Sequence, residues 1–311
     1  MLRVFCLFLC LMLLSAPALA EAVRPDNTFS PAPQPYLSNS PAQSRIERMT
    51  YHAKTEHGID YVKTALVYLP DGYDDSPETR YDILYLMHGG GENETTFLGG
   101  EHLEKPLKHL LDNMIASGQI PPVIVCTPCY RIPNCDETQS TQKFPRELRD
   151  TLMPLVESTY RTYAETADDA GFTASREHRA FGGFSMGGAA TWCVFEQCLD
   201  WYANFLPMSG DCWSISGSAM MRANYLAGRV TAQGYTPADF RIYAGSGNKS
   251  DVAYNNLLPQ INAMKRLDDT FIWCENFDAG NLYFASYEGS GHTQQTCLHL
   301  IYNALPTFFC K

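Results

Sequence analysis

The residues best placed to do chemistry lie in Gly183-Phe184-Ser185-Met186-Gly187, a G-x-S-x-G stretch. Residues 178–183 read as a short strand running out into glycines, and residues 188–198 as a helix. A serine between a strand end and a helix start sits on a sharp, strained turn that lifts its hydroxyl clear of the sheet. The flanking glycines suit such a turn, because a Cβ there would meet neighbouring backbone. The helix that follows aims unpaired N–H groups and a positive dipole end at any negative charge forming beside the serine. A glycine-rich turn with a chance serine is the competing reading, and the strand and helix on its two sides argue against it. Ser185 is the candidate nucleophile.

A serine hydroxyl is a poor nucleophile until a base accepts its proton. Among the eight histidines, His292 follows the last predicted strand in Glu288-Gly289-Ser290-Gly291-His292 and precedes the last predicted helix. That loop is where a base arrives when the chain order is serine, acid, histidine. His299 falls inside the last helix and reads as a packed or surface residue. The acid must lie between Ser185 and His292. Asp251 follows residues 241–247, a strand emptying into a glycine-rich loop, and is the preferred candidate. Asp211, in Ser209-Gly210-Asp211, is its competitor. Asp268, Asp269 and Asp278 read as solvated loop carboxylates. The acid would hold the imidazole tautomer without taking the proton. The oxyanion that forms on attack needs N–H donors. One is expected from Met186, and the other from His88-Gly89-Gly90-Gly91, with Gly90 preferred and Gly91 the alternative. His88 itself reads as a residue that positions this loop.

These residues must be carried by regular elements, and the pattern supplies them. Residues 46–53 and 59–69 alternate as an antiparallel pair around a turn at Glu56-His57-Gly58. Strands are then expected at 81–87, 122–127, 179–184, 202–207, 240–244 and 282–287. Helices are expected at 103–117, 145–160, around 218–234, at 256–267 and at 296–309. Short apolar strands interleaved with helices imply an α/β fold, with a mostly parallel sheet covered on both faces. No internal repeat breaks this pattern. One domain over residues 46–311 is expected.

Composition narrows the function classes. Hydrophobic residues make up 45% and charged residues 18%, which fits a folded globular chain. The net charge of −11, with no basic cluster, argues against nucleic acid as a partner. Arg3, the apolar run 4–14 and Ala18-Leu19-Ala20 have the features of a signal peptide over residues 1–20, so export and an extracellular location are expected. The apolar run is too short to span a bilayer, and no membrane association is expected after processing. Residues 21–45 carry five prolines and read as an extended, weakly ordered linker. Nine cysteines remain beyond residue 20, and an exported chain permits disulfides among them. Cys126-Thr127-Pro128-Cys129 has a C-x-x-C spacing, but no second pair completes a metal set, so structural cysteines are the better reading. No metal is expected.

Five ordered blocks carry a resemblance: Leu86-Met-His-Gly-Gly-Gly-Glu-Asn-Glu94, Gly182-Gly-Phe-Ser-Met-Gly-Gly188, Pro207-Met-Ser-Gly-Asp-Cys-Trp213, Asp251-Val-Ala-Tyr254 and Gly291-His292. Together the chain resembles carbohydrate esterase family 1, and within it the feruloyl esterase domains attached to xylanases. The resemblance covers residues 46–309. It implies an α/β-hydrolase fold, a triad of Ser185, Asp251 and His292, no cofactor, and release of hydroxycinnamates from feruloylated arabinoxylan. Acetyl xylan esterases of the same family are the alternative, and a carbohydrate-binding protein on an inactive hydrolase scaffold is a third reading. No attached dockerin or binding module is expected. Trp213 is a candidate platform for an aromatic acyl ring, with Asp211 as a second pocket residue if it is not the acid.

Overall fold

The sheet opens with a ten-residue antiparallel hairpin, β1 (Arg45–Lys54) and β2 (Asp60–Leu69), in register from Arg45 opposite Leu69 to Lys54 opposite Asp60. The computed structural model describes residues 25–100, 103–248 and 250–310. The predicted signal peptide, residues 1–20, lies outside the described residues. After the hairpin come β3 (Asp82–Met87), helix α1 (Pro106–Ala116), β4 (Val123–Thr127) and α2 (Glu137–Glu147). Then follow β5 (Arg179–Phe184), α3 (Met186–Gln197), β6 (Asn204–Met208), α4 (Ala219–Ala232), β7 (Arg241–Gly247), α5 (Tyr254–Met264), β8 (Leu282–Tyr287) and α6 (Gln294–Phe309). Across the sheet the order is β1-β2-β4-β3-β5-β6-β7-β8, and every pairing from β4 to β8 is parallel. The expected α/β architecture is observed.

Strands buried on both faces should be apolar along their length, and β3 is so from Ile83 to Met87. Ile83, Tyr85 and Met87 join one buried cluster, with Phe144 of α2, Trp192 and Phe195 of α3, and Leu226 of α4. Leu84 and Leu86 join the opposite cluster, with Leu110 of α1 and Leu300 and Ala304 of α6. At the start of β5, Arg179 is buried and forms a bidentate pair with Glu157 at 2.7 and 2.9 Å. Its guanidinium also donates to the Phe172 and Trp201 carbonyls, so the charge is fully paired.

Element boundaries differ from expectation where local chemistry was misread. A helix predicted to begin at Pro145 begins at Glu137, because Asp136 and Gln139 form a reciprocal capping box. Pro145 lies inside it, and the helix passes through a π-helical turn at Leu148–Leu152 before resuming over Met153–Thr159. The helix expected from residue 103 starts at Pro106, where a missing N–H costs nothing.

The proline-rich stretch before β1 is largely extended, and it is seated on the domain. Asn27 is fully buried and its N–H donates to the Glu275 carbonyl. The Ala32 N–H donates to His299 Nδ1 at 3.0 Å, and Ser30 and Asn303 exchange hydrogen bonds. The disulfides expected among the cysteines are not observed among the described residues: the eight cysteines from Cys126 to Cys297 are thiols. Six of them are buried, where they pack as small apolar side chains. Burial pushes the Cys198 and Cys212 thiols up to about 12.

Candidate active site

Parallel strands deliver their following loops to one edge, and ligands bind there in open α/β sheets. Here the loops after β3, β5, β6, β7 and β8 carry His88–Gly91, Ser185, Ser209, Asp251 and His292 in turn. Ser185 is held at φ 57° and ψ −113°, a left-handed conformation that side chains other than glycine rarely adopt. The turn closes tightly enough that a Cβ on Gly183 would meet the Gly187 backbone at 2.4 Å. The Ser185 N–H donates to the Met208 carbonyl at 2.9 Å, which ties the turn to the end of β6. The first turn of α3 starts directly at Met186.

His292 bridges the serine and the acid. Its Nε2 stands 2.9 Å from Ser185 Oγ, and its Nδ1 2.8 Å from Asp251 Oδ1. With the proton on Nδ1, the ring donates to Asp251 and leaves Nε2 free to accept from the serine hydroxyl. The Phe184 ring lies against the imidazole at 4.6 Å. Asp251 is fully buried and accepts three further hydrogen bonds, from Ser209 Oγ at 2.6 Å, Gly247 N–H at 3.0 Å and Ala253 N–H at 2.9 Å. Burial works against its ionisation, but the bonds from His292, Ser209 and Ala253 outweigh it and hold the carboxyl below the usual aspartate value. Ser209 stood in a quoted motif without a role, and its contact with Asp251 depends on the meeting of two distant loops.

The glycine loop after β3 folds over the start of α3. A Cβ at Gly90 would stand 3.1 Å from Met186 Cγ, so Gly90 lies beside the residue that follows the serine. Its neighbours are already engaged. Gly89 N–H donates to Glu92 Oε2 at 2.7 Å, and Gly91 N–H to Glu137 Oε1 at 3.0 Å. Gly91 is therefore committed elsewhere. Beneath the loop His88 is buried, tilted against the Tyr130 ring at 4.7 Å, with Nδ1 2.8 Å from the Gly89 carbonyl. Burial lowers its pKa and favours the neutral ring. Among the described residues no group of three or more His, Cys, Asp or Glu could hold a metal ion.

The arrangement is that of a serine hydrolase, and comparison with known proteins agrees. Residues 59–295 match the family model described as Esterase. The chain belongs to the Esterase family. The chain is 42% identical over 281 residues to endo-1,4-beta-xylanase Y of Acetivibrio thermocellus, spanning 90% of this chain and 24% of that protein. It is 36% identical over 154 residues to an endo-1,4-beta-xylanase/feruloyl esterase of Xylanibacter ruminicola, 47% of this chain and 19% of that one. The esterase thus spans about a quarter or less of the length of these curated relatives. Among solved structures, a mutant feruloyl esterase module from Clostridium thermocellum, complexed with sinapinate, matches with a TM-score of 0.80 and 40% identity. That match covers 92% of this chain and 95% of the module. A CE1 ferulic acid esterase from the anaerobic fungus Anaeromyces mucronatus shares the fold, with a TM-score of 0.67 at 17% identity, over 92% of this chain and 98% of that one. The resemblance to feruloyl esterases and the α/β-hydrolase fold are both borne out.

The remaining predicted residues form a second group. Asp211 makes no contact with His292. It accepts from Trp213 Nε1 at 2.9 Å and pairs with Arg222 of α4 at 3.3 Å. Trp213 is 37% exposed in the loop after β6, and its carbonyl accepts from Gln142 of α2. Asp211 therefore orients the tryptophan of this esterase, and Asp251 faces the histidine.

Proposed function

We propose that this esterase releases ferulic and related hydroxycinnamic acids from esters on plant cell-wall arabinoxylan, through an acyl-enzyme on Ser185. The observation that carries the reading is the continuous relay from Ser185 Oγ through His292 to the buried Asp251. In this reading His292 Nε2 takes the serine proton as Oγ attacks the ester carbonyl. The carbonyl oxygen becomes an oxyanion held by the N–H groups of Met186 and Gly90. The protonated imidazole, stabilised by Asp251, gives its proton to the departing sugar hydroxyl. Water then attacks the acyl carbon while losing a proton to His292, and that proton passes to Ser185 Oγ as the acid leaves. Each oxyanion donor is worth about 2.7–4 kcal/mol of transition-state stabilisation. Support for the acyl group comes from the sinapinate-bound and xylanase-linked feruloyl esterases that the chain is similar to. The exposed Trp213 supplies a flat apolar surface for an aromatic ring. Export through the predicted signal peptide would place the enzyme with its polymeric substrate.

Parallel hydrolysis of methyl ferulate and acetylated xylan, with Ser185→Ala as the blank, tests this. Ferulate release by the parent and none by the variant is expected. Acetate release alone would overturn the substrate. Turnover by a clean Ser185→Ala preparation would overturn the mechanism.

A further inference from the structure

The base and the oxyanion loop come from opposite sides of the site, and one side chain touches both. Glu92 Oε2 accepts the Gly89 N–H at 2.7 Å, and Glu92 Oε1 accepts from Gln294 Nε2 at 2.5 Å. Gln294 opens α6, two residues after His292. Gly89 immediately precedes Gly90. A run of three glycines, with Gly91 at φ 73°, has little stiffness of its own. Glu137 holds the far side of the loop through the Gly91 N–H, assisted by Arg131.

We propose that Glu92 is a positioning residue that, with Gln294, fixes the spacing between the Gly90 N–H and the imidazole of His292. The proposal rests on the reading of Gly90 as an oxyanion donor. Glu92 contacts neither the serine nor the histidine, so it acts through Gly89 on one side and α6 on the other. A carboxylate is suited to the place because it accepts at both oxygens and donates at neither. Both of its partners here are donors. Misplacing a catalytic group by about 1 Å costs on the order of a hundredfold in rate, so a loose glycine loop would be felt in kcat.

The bonding pattern dictates an exchange experiment. In Gln294→Glu two carboxylates face one another, and one must swing away from its loop. In the double variant Glu92→Gln/Gln294→Glu, the new amide at 92 keeps its carbonyl on Gly89 and donates to the new carboxylate at 294. On methyl ferulate, kcat of Gln294→Glu is expected to fall about ten- to a hundredfold with KM within about twofold. Inhibition by an aryl boronic acid, which forms a tetrahedral anion on the serine, should weaken by a similar factor. The double variant should recover to within about threefold of the parent. A role in stability alone would lower the melting temperature without this kcat-selective loss, and the exchange would not restore it. Should Gln294→Glu fail to fold, Gln294→Ala leaves Glu92 without its second donor and should show a smaller kcat loss. Parent-like kcat in both single variants, or a loss in Gln294→Glu that the exchange does not repair, would overturn the proposal. Activity remaining in Ser185→Ala would instead overturn the functional reading beneath it.

Discussion

Replacing Asp251 by asparagine separates the two carboxylates that the sequence offered as the acid. Each carboxylate oxygen of Asp251 accepts one backbone N–H: Oδ1 from Ala253, and Oδ2 from Gly247. An asparagine has one carbonyl and one NH2, so its NH2 must face a backbone N–H in either orientation. Turned toward His292, the NH2 forces Nδ1 to accept, which moves the ring proton to Nε2 and points it at Ser185 Oγ. The ring can then no longer take the serine proton. Turned toward Gly247, the side chain keeps His292 Nδ1–H but carries no charge to stabilise the imidazolium. The first outcome has a precedent of about 10⁴ in kcat, or roughly 5.4 kcal/mol. The second forfeits a charge-assisted bond worth about 1.5–3 kcal/mol, up to roughly a hundredfold. Steady-state hydrolysis of methyl ferulate should show kcat down by about 10–10⁴ with KM little changed. Asp211→Asn should stay within about tenfold of the parent, since Asp211 meets Trp213 and Arg222 instead. Retention of more than about a tenth of kcat in Asp251→Asn, with Asp211→Asn the inactive one, would refute the assignment. A stability consequence goes with it. The Asp251 carboxyl is held below its unfolded value, so its contribution is complete above about pH 4 and is lost as pH falls through the lower folded value. Asp251→Asn should therefore lose less stability than the parent over that acid window, as read from urea unfolding.

Trp213→Ala should lower kcat/KM for methyl ferulate by about three- to tenfold, the worth of one aromatic contact, and leave a short-chain acetyl ester unchanged. Equal losses on both esters would remove Trp213 from acyl recognition. Arg179→Ala strands the buried Glu157 carboxylate and should cost about 3–5 kcal/mol in urea unfolding. A loss below about 1 kcal/mol would mean that the pair is far less important to the start of β5 than its burial implies.

Much of this site could be read before folding because short-range sequence carries it. The strand–Ser185–helix turn needs glycines at fixed offsets, and the chain order of serine, acid and histidine follows from parallel topology. The antiparallel β1–β2 pair and all eight strands of the main sheet were legible from alternation and apolar runs. What sequence hid was of two kinds. Competing local signals misplaced the start of α2, where Pro145 stood out more than the Asp136–Gln139 capping box. Long-range meetings were invisible, because Ser209 and Asp251 are 42 residues apart, and Glu92 and Gln294 are 202 apart, with no motif between them. The free choice between Gly90 and Gly91 was of this second kind, since it turns on where Glu137 lands.

That dependence explains why the glycine loop is bracketed by acids at all. An oxyanion donor has to be an N–H with no protein partner in the resting enzyme, and Gly90, being exposed, can leave its N–H to water. Three consecutive N–H groups leave a glycine loop free to choose which of them finds an acceptor. Supplying carboxylates to the first and third, through Glu92 and Glu137, leaves the middle one as the N–H that the proposed mechanism assigns to the oxyanion. The two acids also bring negative charge close to where the oxyanion forms. The Arg131 guanidinium on Glu137 and the Gln294 amide on Glu92 offset part of it. Rigidity is thus gained at some electrostatic cost, and it is worthwhile only if Gly90 N–H must be aimed more closely than three glycines could manage unaided.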